Sequence, residues 1–251
     1  MLDEIPLVFV LPRGTSLGLI IWLPGFGGNK EGVTAYLHDL AADGFAALAL
    51  DPREHGARAT LSGPELRERV LGNIRRHFWP ILAGTAEDIP RVVDWAASEL
   101  GVAGAIGIGG ISMGGDIAVA AAGLDPRIEA VAAGIATADW LRPGSFEPPG
   151  APDDFAQQCY RRRNPLTNPS GFLRELAITF QCGVQDKQVP PQGGETFVAL
   201  LNQLDPGRRD LREVVLHEGV GHEFTPVMWE RSRAWLRKHL HPGPAARETG
   251  S

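Results

Sequence analysis

Short apolar runs alternate along the chain with longer stretches whose apolar residues recur at helical spacing. The runs are 17–24 (LGLIIWLP), 45–51 (FAALALD), 103–112 (AGAIGIGGIS), 128–137 (IEAVAAGIAT), 176–186 (LAITFQCGVQD) and 211–219 (LREVVLHEG). Nearly continuous apolar runs of this length read as parallel strands covered on both faces. Helical patterns lie between them, over 29–44, 84–101, 113–123, 191–204 and 225–240. In the second of these, Ile89, Val92, Val93, Trp95, Ala96 and Leu100 repeat at helical spacing. Asn29 suits a helix cap and Gly44 a helix stop. Strand–helix alternation predicts an α/β fold with a mostly parallel sheet flanked by helices. Residues 5–12 (IPLVFVLP) are placed to add an antiparallel edge strand.

Two stretches break this rhythm. Residues 52–83 carry a charged, partly helical segment, and residues 138–175 carry a Pro- and Gly-rich loop followed by a short helix near 153–163. Long insertions in a compact domain tend to be functional, and the second follows a strand end, where it could cover a site. With no repeat and no linker-like stretch, the expectation is one domain over 1–240, with lid-like insertions at 52–83 and 138–175. A disordered tail is expected over 241–251.

Composition narrows the function classes. The 251 residues are long enough for a well-buried core. A formal net charge of −6 argues against a nucleic-acid surface or an anionic-membrane surface. No segment approaches the ~20 apolar residues that span a bilayer. The N-terminal MLDEIPLVFV has no basic n-region, so a cytoplasmic location is expected. Cys159 and Cys182 have no CxxC partner, and they read as two reduced thiols rather than a disulfide, zinc or redox site. No cofactor motif stands in the chain. The cluster Asp51, Glu54 and His55 could be read as metal ligands, but a structural turn is the better reading, and no metal is expected.

The candidate chemistry begins at 109–115, GGISMGG, which contains a G-x-S-x-G match at Gly110, Ser112 and Gly114. Chance alone would supply about 0.12 such matches at this glycine and serine content. A strand immediately before and a helix immediately after give the context that a nucleophile elbow requires. There a tight turn lifts the serine hydroxyl off the sheet, and the free N–H groups of the helix N-terminus favour developing negative charge.

With these elements and this motif, the chain resembles an α/β-hydrolase-fold serine hydrolase of the dienelactone hydrolase and prolyl-oligopeptidase-like esterase branch, over about residues 17–240. The resemblance implies an oxyanion loop at LPGFGG (23–28), where Pro24 stands in place of a common histidine. Proline has no N–H, so the implied donors are the backbone amides of Phe26 and Met113. It also implies the order Ser…Asp/Glu…His. Asp186 lies in a G-x-x-D-x-x-V-P pattern with Gly183, Val189 and Pro190 in register. Asp205 and Asp210 are rivals in a polar loop. His222, between the last strand and the last helix, is the implied base; His217 lies on the strand and reads as structural. Phe26, Met113, Trp79, Trp140, Phe146 and Phe224 could line an acyl or alcohol pocket, or equally belong to the core. The segment RERVLGNIRRHF is basic enough to suggest an anion site, but the polar face of a helix is the better reading, with Leu71, Ile74 and Phe78 facing inward. YRRRN (160–164) could recognise a carboxylate, but a solvated face is the commoner meaning of such a run.

The implied function is hydrolysis of a small carboxylic ester through an acyl-enzyme. A thioesterase, acyl transferase or small peptidase using the same three residues is the alternative, and a silent binding protein on this fold is a third reading. No nucleic-acid or membrane partner is expected, and the sequence does not fix the oligomeric state.

Overall fold

A computed structural model describes residues 4–240. The tail expected over 241–251 lies outside the described residues. Seven strands form one sheet in the order β1-β3-β2-β4-β5-β6-β7. They are β1 Leu7–Val10, β2 Gly18–Leu23, β3 Ala46–Leu50, β4 Ala105–Ile111, β5 Ile128–Gly134, β6 Ala177–Gly183 and β7 Arg212–His217. All neighbours are parallel except β1, which runs antiparallel along β3 with Leu7 opposite Leu50. The chain thus starts the sheet at an edge, as the isolated N-terminal apolar run predicts.

Among the described residues, seven α-helices cover the sheet: α1 Thr34–Ala42, α2 Gly63–Gly72, α3 Ile74–Glu99, α4 Met113–Leu124, α5 Asp154–Arg163, α6 Gln192–Leu204 and α7 Pro226–Leu240. Side chains alternate between the two faces of each strand. In β2, Leu19, Ile21 and Leu23 pack with α3 and α4 residues such as Ile89 and Ile117. Ile20 and Trp22 pack on the opposite face with Leu37, Trp229 and Leu236 of α1 and α7. Burying one such large apolar side chain stabilises the fold by about 1.5–3 kcal/mol, which explains why the central strands β2, β3 and β4 carry no polar side chain. No helix among the described residues is long and apolar enough to cross a membrane.

The region 52–99 differs from its expectation. Instead of a charged insertion followed by a helix from 84, a single helix of 26 residues starts at Ile74 and contains Pro80 and Pro90. Each proline removes one helical N–H and costs about 3 kcal/mol in a helix interior. A continuous buried stripe through Ile74, Phe78, Leu82, Ala86, Ile89, Val93 and Ala96 outweighs that cost. Asn73 starts the helix by accepting a hydrogen bond from the Arg76 amide at 3.1 Å. Ahead of it, α2 begins where the Ser62 amide donates to the Glu65 carboxylate at 2.9 Å, half of a capping box.

Candidate active site

The turn between β4 and α4 sets Ser112 in a left-handed conformation, φ +53° and ψ −115°, at a cost of about 1–3 kcal/mol for a residue with a Cβ. The surroundings hold it there. Its amide donates to Gly134 O at 2.7 Å, and its carbonyl accepts from the Asp116 amide at 3.0 Å. The glycines on either side permit the close packing: a Cβ on Gly110 would lie 2.6 Å from the Gly114 carbonyl carbon, and one on Gly114 2.4 Å from Leu23 O. The spacing G-x-S-x-G is therefore the imprint of α4 being driven against the ends of β2 and β4.

Two loops bring partners to this serine. The one after β6 carries Asp186, which is buried. Its Oδ1 accepts the amides of Gln188 at 2.9 Å and Val189 at 2.8 Å, which fixes the plane of the carboxylate. The loop after β7 carries His222 and is tied to the first loop by the Gln185 amide donating to Val220 O at 2.9 Å. The Asp186 Oδ2 to His222 Nδ1 distance is 2.7 Å, and the His222 Nε2 to Ser112 Oγ distance is 2.9 Å. An ionised carboxylate can only accept, so Nδ1–H donates to Asp186 and Nε2 is left to accept the Ser112 hydroxyl proton. Three side chains from separate parts of the chain thus form one continuous hydrogen-bonded relay.

Met113 opens α4, where a first-turn N–H has no acceptor within its own helix. The loop after β2 runs alongside: a Cβ on Gly25 would lie 3.9 Å from the Ser112 Cβ. Phe26 follows, its ring edge-on to His55 at 5.2 Å and to Phe78 at 5.7 Å.

The cleft at Ser112 is lined by Phe26, Val70, Leu71, Ile74 and Phe78 on its apolar side and by Arg67, Arg142, Glu147 and Gln188 on its polar side. Of the six residues expected to line a pocket, Phe26 is among them, whereas Met113, Trp79, Trp140, Phe146 and Phe224 are not. Trp79 and Trp140 are core residues: the Trp79 indole stacks on Tyr160 with centroids 4.5 Å apart and donates to Trp140 O at 3.1 Å. Phe146 sits on the outside of its loop, 70% exposed. Phe224 packs against Trp22 and Tyr36 beneath the His222 loop. Leu71, Ile74 and Phe78, expected only to face inward, supply most of the apolar wall. Their signal was the amphipathic pattern of 66–78 just after the β3 loop.

Sequence reasoning missed the polar wall. Arg142, at φ +48° in the Pro-rich insertion, is buried and donates to Asp116 Oδ2 at 2.7 Å and to Glu147 Oε2 at 2.9 Å. Glu147 also accepts from Gln188 Nε2 at 3.0 Å, two residues beyond Asp186. The guanidinium lies 4.9 Å from the Phe78 ring centre. Burial pushes the Asp116 carboxyl up from its ordinary value, opposed by Arg142. One buried cation thereby joins the helix that follows Ser112, the insertion and the loop of Asp186.

The other candidates have structural partners. Asp51 accepts the Lys30 amide and ammonium, both at 2.9 Å, and the Ala57 amide at 2.8 Å, and so closes the turn after β3. His217 Nε2 meets Gln181 Oε1 at 2.9 Å, and Asp205 pairs with Arg208 and Arg212. In YRRRN, Arg163 pairs with Glu87 at 2.8 Å, while Asn164 is buried and accepts the Trp140 amide at 2.8 Å.

No curated protein sequence matches the chain. Among solved structures, TT1662 from Thermus thermophilus superimposes with a TM-score of 0.78 at 23% identity, over 96% of both chains. Est1E from Butyrivibrio proteoclasticus, with ferulic acid bound, gives 0.66 at 18% identity over 95% of this chain and 96% of that one. The acylaminoacyl peptidase of Pyrococcus horikoshii gives 0.66 at 17% identity, over 94% of this chain but only 39% of that one. The family model described as the prolyl oligopeptidase family matches residues 83–241, the stretch that carries Ser112, Asp186 and His222. The chain therefore belongs to the prolyl oligopeptidase family, on the α/β-hydrolase branch of serine hydrolases.

Proposed function

We propose that the protein hydrolyses carboxylic esters with small acyl groups, using Ser112 as nucleophile, His222 as general base and acid, and Asp186 to orient the imidazole. The observation that carries this reading is the unbroken relay from Asp186 through His222 to the Ser112 hydroxyl, 2.7 and 2.9 Å long. A serine hydroxyl is a poor nucleophile near neutral pH unless an adjacent base takes its proton. Ser112 Oγ adds to the ester carbonyl while His222 Nε2 receives its proton. The tetrahedral oxyanion is held by the amides of Phe26 and Met113. His222 then protonates the departing alcohol, and an acyl group stays on Ser112. Water attacks that ester with His222 again as base, and the acid leaves.

The cleft favours a short acyl group. Only about 40 Å³ of it is free at Ser112, against the 10–15 Å³ that a single water requires. Longer chains need α2 or the 138–149 loop to yield. A solved cold-adapted esterase from an Arctic intertidal metagenomic library, 88% of which this chain covers, supports the ester reading; the family and the acylaminoacyl peptidase support amide cleavage as the second reading.

The test is turnover of p-nitrophenyl acetate, butyrate and octanoate beside aminoacyl amides and acyl-CoA thioesters, with fluorophosphonate labelling of Ser112. Acetate should be preferred, and Ser112→Ala should lose at least about 10⁴-fold in kcat while melting like the parent. Full activity in that variant removes Ser112 from the chemistry. Faster turnover of the amides replaces the esterase reading with the peptidase one.

A further inference from the structure

The first turns of α3 divide two hollows. Ile74 and Phe78 face the Ser112 cleft, whereas Arg76, His77, Pro80 and Ile81 line a second, larger hollow of about 350 Å³. Leu66, Arg69 and Val70 of α2 and Phe155 of α5 complete its walls, Val70 standing between it and the Ser112 cleft, with Arg53, Glu54 and Asp153 also lining it. The polar lining is mostly self-satisfied. Arg53 pairs with Asp88 at 3.0 Å, Arg76 with Asp153 at 3.2 Å, and Glu54 accepts from Thr60 Oγ1 at 2.6 Å.

Arg69 is the exception. Its partner is an imidazole: Nε donates to His77 Nδ1 at 3.3 Å. That contact requires a lone pair on Nδ1, so the His77 ring is neutral. Burial first, and then the charges of Arg69 and Arg76, hold its pKa below the ordinary imidazole value, with Asp153 opposing. Three guanidinium groups, Arg53, Arg69 and Arg76, and a titratable ring therefore share one concavity with two carboxylates, Glu54 and Asp153, and of the three only Arg69 has no carboxylate partner among the ion pairs of the described residues. Phe155, 60% exposed, adds an aromatic face to the same hollow. An oxyanion accepts from several such donors at once.

We propose that this hollow is a second binding site, separate from the Ser112 cleft, for a small organic anion. Its phosphate or carboxylate group bridges Arg69, Arg76 and His77, and its apolar body rests on Phe155. The proposal is independent of the reaction at Ser112. It predicts that an occupied site favours protonated His77, because the anion replaces the Arg69–His77 contact and offsets both guanidinium charges.

Phenyl phosphate and benzoate are titrated into the full-length protein while the His77 ring resonances are followed by NMR, with chloride matched for ionic strength. The expected result is saturable binding of at least one of the two, with the His77 titration moving to higher pH. Affinity should fall about tenfold or more in Arg69→Gln and in Arg76→Gln, weaken in Phe155→Ala, and stay unchanged in Ser112→Ala. The arginines are exposed, so the variants should fold, which thermal melts check. The proposal is overturned if neither probe shifts His77 beyond the chloride control. It is equally overturned if both arginine variants bind as the parent does, or if the shifts centre on Phe26 and Phe78 in the Ser112 cleft.

Discussion

The Phe224 ring rests on the bare α-carbon of Gly134: a Cβ there would lie 2.3 Å from the ring. The contact links the two halves of the site. Gly134 O accepts the Ser112 amide, and Phe224 stands two residues after His222. The aromatic cluster of Trp22, Tyr36 and Trp229 holds the ring from the other side. On the proposed mechanism, Phe224 would therefore act as a positioning residue for the imidazole. Phe224→Ala should lower kcat about 10- to 100-fold, the size expected for a misplacement near 1 Å, with KM little changed and activity partly restored in Phe224→Leu. A variant with parental kcat would show that the His222 loop is held without this ring.

Phe78 and Trp79 are neighbours in sequence, yet only Phe78 reaches the cleft. One residue along a helix turns the side chain by about 100°. Phe78 thus faces Ser112 while Trp79 points into Tyr160 and the Trp140 carbonyl. Phe78→Ala should enlarge the cleft and shift preference from acetate towards butyrate and longer esters. Trp79→Ala should cost about 3–5 kcal/mol of stability without changing the order of preference among esters. Chain-length profiles and urea melts on the two variants separate the roles, and a profile altered by Trp79→Ala but not by Phe78→Ala would reverse them.

The same pair shows what the sequence could and could not reveal. The sheet was legible because strands buried on both faces leave long apolar runs. The positions of Ser112, Asp186 and His222 were legible because each follows a strand and stands in a local pattern. Phe26 apart, the walls of the cleft were not. Nearness in sequence to a reactive residue does not say which side of a helix faces it, so Trp79 and Trp140 were as plausible as Phe78. Phe146 was placed in the correct loop, but Arg142 and Glu147 turn inward there because they satisfy Asp116 and Gln188. Pro80 hid the true start of α3, since a proline at that point ordinarily ends a helix.

Arg142 neutralises Asp116, which no solvent reaches. Removing one partner of such a pair leaves an unpaired buried charge, at a cost of about 3–5 kcal/mol. Arg142→Met should therefore destabilise strongly and loosen the Asp186 loop through Glu147 and Gln188. Adding Asp116→Asn removes the orphaned charge while leaving Oδ1 to accept the Thr137 amide. The double variant should recover a large part of the lost stability. Urea denaturation of the single and double variants measures this, and strictly additive losses would refute coupling through the pair.

Both thiols are buried. For Cys182, burial together with the nearby Asp186 and Glu195 charges pushes the pKa up to about 12. The thiolate is the reactive form, so iodoacetamide near neutral pH should leave Cys182 unmodified in the folded protein and modify it readily in urea. Intact-mass spectrometry reads the outcome. Rapid native alkylation at Cys182 would mean that the end of β6, and with it the Asp186 loop, opens on the time scale of the reaction.

His55 gives the fold a dependence on acid. Its ring is packed against Phe26; Nδ1 lies 2.8 Å from Arg53 O, and the buried Nε2 has no hydrogen-bond partner. Burial pulls its pKa below the ordinary 6.5, only partly opposed by the Arg53 carbonyl and by Glu54 and Asp51. The unfolded chain thus takes up this proton more readily than the folded one. Stability is unaffected while both forms are neutral, above about pH 6.5. It falls as the pH drops below that value, by up to about 1.4 kcal/mol per unit from this group, and levels off only below the folded value. Since Phe26 is the proposed oxyanion donor and its ring packs on His55, protonation of His55 should also disturb the loop beside Ser112. His55→Gln, which cannot titrate, should flatten the fall in melting temperature between pH 7 and pH 5, even if it starts lower. An unchanged slope would move the acid sensitivity to His77, His217 or His239, whose pKa values are also lowered.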